Sequence, residues 1–208
     1  MSFKKEFLIV LLVLILVSLA CGSSSDGVTV DVPSGSEGEG VAESGEEVIS
    51  EPVEEVISEP VEEATKEIGT ARSNPAPMGS VITADDMKFE ILGLTRPADD
   101  IIMGGNMFNT EPDEGEEYIL VDIKIECMKD VDDTCNISQF SFKLIGDAGV
   151  TYDAEWFIAG VDGLIESEEF YGGGVVSGFL PFIIKESDQN LIFVYEPFLG
   201  DKFYMFVQ

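Results

Sequence analysis

The side chains with chemistry to offer in this sequence are three cysteines, at 21, 127 and 135, and a large surplus of carboxylates. The chain of 208 residues carries 41 Asp plus Glu against 11 Lys plus Arg, a formal net charge of -30, and no histidine. Without histidine the Ser-His-Asp and Cys-His forms of nucleophilic catalysis are closed, and the commonest zinc ligand is missing. The same charge repels phosphate backbones and anionic headgroups, so nucleic acid is not an expected partner.

Cys21 ends an apolar run. Lys4 and Lys5 precede the stretch from Phe7 to Val17, and Ser18, Leu19 and Ala20 lead to the cysteine, the layout of a secretory signal. The run is shorter than the roughly 20 apolar residues that cross a bilayer, so cleavage is expected rather than a helical anchor. "SLAC" resembles the lipobox of bacterial lipoproteins, with Leu19 one place later than the usual pattern. That resemblance implies that Cys21 becomes the first mature residue and carries a lipid, palmitate-type acyl chains holding the protein to the membrane. The alternative is an ordinary signal peptide cut near Ala20 that leaves a free thiol.

Cys127 and Cys135 bracket "MKDVDDT". In an exported chain whose third cysteine is lipidated they are the available pair, which predicts a disulfide. Two buried free thiols are the alternative. Asp130, Asp132 and Asp133 in the same loop are weak metal candidates: calcium takes such oxygens, but the spacing lacks the Gly and the terminal bidentate Glu of an EF-hand. Asp99, Asp100 and the cluster from Asp113 to Glu117 could join them in space, although a solvated acidic loop is the simpler reading. Carboxylate-based glycoside hydrolysis needs a cleft and a set separation that sequence does not show, so no enzyme and no cofactor are expected.

The elements that position these groups follow from composition. Residues 21–79 are Gly, Ser, Glu, Val and Pro without an aromatic, a mixture that buries too little to offset ordering entropy, so a disordered acidic tether is expected after the signal peptide at 1–20. It contains a tandem octapeptide, "EEVISEPV", at 46–53 and 54–61. From Ser80 to Gln208 short aromatic and β-branched runs alternate with Gly, Pro, Asp and Asn clusters. Strands are predicted at 87–95, 117–127, 140–145, 150–157, 175–185, 190–196 and 202–208, with no convincing helix, so the fold class is all-β, an antiparallel β-sandwich. Along 117–127, Ile119, Val121, Ile123, Ile125 and Cys127 share one face. Trp156 and Phe157 read as core packing at a strand end, and Gly172 to Gly174 as a strand entry.

"GEEYILVDIKI", "FSFKLIGDAGVTYD" and "YGGGVVSGFLPFIIKESDQNLIFVYEP" together resemble a family of bacterial extracytoplasmic domains often found on lipoproteins, the domain of unknown function 4352 type. The resemblance implies an immunoglobulin-like sandwich over most of 80–208 and an extracytoplasmic location; it carries no catalytic residues. Cys127 stands where the family often has Asn.

One stretch is long for a loop. Residues 97–117 mix Ile101, Ile102, Met103, Met107 and Phe108 with acid and Gly, and such loops are usually functional or disordered, so ligand contact is sought there first. The alternative is a loop that packs its own apolar residues over one end of the sandwich. The expectation is therefore a non-catalytic binding module, lipid-anchored through Cys21 on the extracytoplasmic side of the cell membrane, contacting an envelope protein or peptide. A calcium-dependent adhesion or structural module is the alternative, and a hydrolase the third.

Overall fold

The computed structural model describes residues 27–33 and 67–207. The expected signal peptide, Cys21 and the octapeptide repeats lie outside the described residues.

The alternating strands pair into two antiparallel layers. The first sheet contains β1 (Thr29–Asp31), β2 (Val81–Ala84), β3 (Met87–Thr95), β4 (Glu116–Cys127) and β9 (Val175–Lys185), hydrogen-bonded in the order β1-β2-β3-β4-β9. The second holds β6 (Phe142–Ile145), β7 (Thr151–Asp153), β10 (Ile192–Tyr195) and β11 (Phe203–Phe206) in the order β11-β10-β6-β7. A separate ribbon pairs β5 (Thr134–Ile137) with β8 (Glu168–Tyr171). The non-consecutive pairings β4 with β9 and β6 with β10 give the crossed connectivity of an immunoglobulin-like β-sandwich.

Alternation fills the space between the layers. Ile119, Val121, Ile123 and Ile125 of β4 point inward, fully buried, against Phe89, Phe142, Phe182, Phe193 and Phe203. The aromatic rings interlock, Phe89 lying 4.7 Å from Tyr195 and Phe142 5.6 Å from Phe193 between centroids. Asp85 and Asp86, both at positive φ (51° and 57°), form the two-residue turn of the β2–β3 hairpin.

Two expectations change here. The boundary at Ser80 falls inside the folded unit: β1 pairs with β2, and Ala76, fully buried, exchanges backbone hydrogen bonds with Tyr204 and Phe206 of β11. Small residues suffice there because the edges of both sheets need hydrogen-bonding partners more than bulk. Residues 27–33 and 67–79 are therefore not tether. The sandwich also has a helix, α1 (Asp99–Gly105), which buries Ile102 against Tyr118 and Leu120 on the outer face of β4.

Candidate functional site

Two long connections meet on the outer face of the first sheet. The first, 97–117, enters through α1, whose Ile102 and Ala98 are buried with Tyr118, Leu120 and the partly buried Met103. The second, 154–167, leaves β7 when Ala154 bridges to Phe182 and the Glu155 N–H donates to the Pro181 carbonyl, 2.8 Å. It returns along β9 through a Leu164–Phe179 bridge.

Asn109 ties the two together. It is 7% exposed, and its Nδ2 donates to the carbonyls of Ile102 (2.6 Å) and Ala159 (3.0 Å) while its Oδ1 accepts from the Ala159 N–H (2.9 Å). Beside it the backbones of Gly105 and Gly160 approach so closely that a Cβ on Gly160, already at φ +71°, would run into the Gly105 carbonyl. The Tyr118 hydroxyl donates to the Thr110 carbonyl (2.9 Å), and the Asp99 carboxylate accepts from the Tyr118 N–H (3.1 Å). Both connections are thus held in place by buried polar bonds.

What they present outward is apolar. Met107 and Phe108 are 85% and 86% exposed, next in sequence to Asn109; Trp156 and Phe157 are 62% and 80% exposed, a few residues from Ala159. Trp156 packs edge-on against Phe157 at 4.9 Å, and the exposed Phe140 ring lies 6.4 Å away. Carboxylates surround them: burial and then the nearby Asp153 push Glu155 up, while burial, Glu155 and Asp99 together push Tyr118 up. The Tyr118 hydroxyl therefore feels one acidic group from each connection.

Residues 77–203 match the family described as Domain of unknown function (DUF4352). The chain belongs to this family. No curated protein matches it. Among solved structures, the yjhA protein of Bacillus subtilis is similar at 13% identity and a TM-score of 0.47, over 64% of this chain and 99% of its own. The secreted protein MPT63 of Mycobacterium tuberculosis is similar at 10% identity and a TM-score of 0.43, over 61% and 83%. A candidate lipoprotein of Bacillus subtilis, ycdA, is similar at 13% identity and a TM-score of 0.41, over 59% of this chain and 37% of its own.

In this DUF4352 domain the five apolar residues singled out in 97–117 divide. Ile102 and Met103 belong to the packing under α1; Ile101, Met107 and Phe108 face solvent. Trp156 and Phe157, expected in the core, are exposed instead, because the chain crosses from one sheet to the other at Ala154 and turns them outward. Cys127 and Cys135 are joined in a disulfide with a Cα–Cα distance of 5.8 Å. Cys135 sits in β5, 2% exposed, rather than in a polar loop, and the bond fastens the β5–β8 ribbon to the end of β4. Gly172 to Gly174 are the entry to β9: the Gly173 N–H donates to the Cys127 carbonyl, and a Cβ on Gly172 would strike the carbonyls of Lys129 and Asp130.

Asp130, Asp132 and Asp133 are exposed in a turn closed by the Asp133 N–H on the Asp130 carbonyl. Among the described residues no three acidic or thiol side chains converge to cage a cation. Glu117, from the second acidic cluster, is held by Arg96 at 2.7 Å. A groove of about 430 Å³ lies between Tyr195, Ser141, Lys129 and the exposed Phe198 and Leu199. Its one lining carboxylate is Asp85, raised chiefly by burial, whose Oδ1 accepts from the Asp201 N–H at 3.0 Å.

Asn109 was not singled out from sequence, nor was any signal for it present beyond a polar residue inside an apolar loop. For the second connection the cue was "FIAGVDGLIE", which breaks alternation and holds two glycines.

Proposed function

We propose that the protein is a lipid-anchored, extracytoplasmic, non-catalytic binding module whose contact surface is the outer edge of the two tied connections. The observation that carries this is the exposure of Met107, Phe108, Trp156 and Phe157 on loops locked together by buried Asn109. Loops that are pre-ordered lose little entropy on binding, and Trp, Phe and Met are the residue types that dominate interface energetics. The anchor rests on the signal-like N-terminus ending at Cys21, and an oxidising compartment on the Cys127–Cys135 bond. The partner sought is an envelope protein or peptide.

Each half has its test. A photo-crosslinking amino acid placed at Phe108 or Phe157 in the membrane-bound protein yields a defined adduct that the same probe at Phe198 does not; no adduct from either loop overturns the surface. Intact mass of the protein from its native membrane gives a chain starting at Cys21 with acyl mass added. An unmodified chain overturns the anchor.

A further inference from the structure

The surface of the two tied connections has a charge as well as a shape, and together they specify the chemistry of what it takes. Residues 99–117 contain seven Asp or Glu and 153–169 contain six, with no Lys or Arg in either stretch. Some of these carboxylates are spoken for inside the fold: Glu117 pairs with Arg96, and Asp99 accepts from the Tyr118 N–H. Others, including Asp100, Glu114, Asp162 and Glu166, are exposed to solvent and free of any cation on their own loops. Lys143, which reaches Asp153 of the second stretch (3.6 Å), is already shared with Glu196 (3.4 Å).

Resting on the reading of these loops as the contact surface, we propose that the partner is a cationic amphipathic segment of another protein, its Lys or Arg side chains meeting the loop carboxylates and its apolar side chains covering Met107, Phe108, Trp156 and Phe157. Charge complementarity selects the sign: a partner of like charge costs several kcal/mol on juxtaposition, and the negative surface accelerates encounter with a positive one. The four apolar side chains select the rest, because a bare cation or a polycation without apolar groups leaves them in water. Trp156 serves both demands, since an indole face is the best aromatic platform for a Lys or Arg head group. A second copy of this chain fits poorly, with a net charge of -30 on each partner. Anionic lipid is repelled for the same reason.

Trp156 is the sole tryptophan of the chain, so its emission reports the surface directly. The full-length protein is held in phosphatidylcholine nanodiscs, which keep the lipid neutral, and titrated with a peptide of Lys and Leu without tryptophan. Two control peptides replace Leu by Ser or Lys by Glu. The Lys/Leu peptide is expected to shift the Trp156 emission and bind about tenfold or more tighter than either control, weakening as salt rises. Phe108→Ser and Phe157→Ser, each at an exposed position that leaves the fold intact, are expected to weaken it about tenfold, and Phe198→Ser, on neither connection, to leave it unchanged. Equal binding of the Lys/Ser peptide, or wild-type binding by both loop variants, overturns the proposal. Absence of binding by the Lys/Leu peptide overturns it too, and where crosslinks from Phe108 or Phe157 persist, the contact surface stands and only the partner's chemistry falls.

Discussion

Replacing Asn109 by Ala removes the tie between the two connections, and the structure sets the size of the effect. Three hydrogen bonds are lost, at about 1 kcal/mol each, and the carbonyls of Ile102 and Ala159 and the Ala159 N–H are left short of a partner in a site that is 7% exposed. A loss of about 2 to 4 kcal/mol follows, and it is local, because the sandwich core does not depend on Asn109. Hydrogen exchange at the Ala159 amide should therefore accelerate by roughly 30- to 1000-fold while amides in the centre of β4 keep their protection. Fluorescence anisotropy of Trp156 should fall as its loop loosens. Asn109→Asp keeps the acceptor for the Ala159 N–H but turns repulsive charge on two carbonyls, so it should be at least as disruptive at neutral pH. Unchanged exchange at Ala159 together with unchanged Trp156 anisotropy would refute the claim that this residue locks the loops.

Three further outcomes are expected. Asp188 is 3% exposed; burial alone would raise it, but the Ala148 N–H, the Tyr152 hydroxyl and the N–H groups of Gln189 and Asp147 hold it below the usual carboxylate range. Its contribution is complete above the unfolded pKa of about 3.9 and is lost as pH falls through the lower folded value, so urea midpoints of the wild type should decline steeply in that acid window and those of Asp188→Asn should not. Cys127→Ala with Cys135→Ala opens a loop of eight residues' separation and should cost about 2 to 3 kcal/mol in chemical denaturation, with amides of the β5–β8 ribbon losing protection first. Val28→Asp with Val30→Asp places two carboxylates where partly buried valines pack on the core, and should detach β1 at a cost of about 1 to 3 kcal/mol; energy transfer from a dye on Asp31→Cys to one on the sandwich should drop.

How much of this was legible depends on how local each cause is. The face of β4 could be read because alternation over Ile119 to Cys127 is set within the strand itself, and the cysteine pair because two of three thiols remained once Cys21 was assigned. Trp156 misled for the same reason that β4 did not. It shares parity with Tyr152 and Ala154, both buried, so alternation carries it inward; only the crossing of the chain to Pro181 and Phe182, a long-range event, turns it out. Helix α1 has seven residues, two terminal glycines and no side-chain cap, so its propensity is weak, and it exists because Ile102 finds Tyr118 and Leu120. Asn109 had no local signature at all, since its partners lie seven and fifty positions away.

Strand β1 changes what the acidic stretch can do. Read as composition, residues 21–79 form one spacer, with a coil span of roughly 40 Å between an anchor at Cys21 and the domain. With Thr29, Val30 and Asp31 paired to Thr83, Ile82 and Val81, the folded unit instead begins eight residues after Cys21, a reach of at most about 28 Å. The described residues on either side of 34–66 then both belong to the folded unit. Detachment of β1 frees the chain back to the β2 edge and leaves that edge open. A three-residue strand whose one valine, Val30, is partly buried, with Val28 just before it, is held by little more than its ladder, so the distance between the proposed anchor and the proposed contact loops turns on one of the weakest pairings in the sandwich.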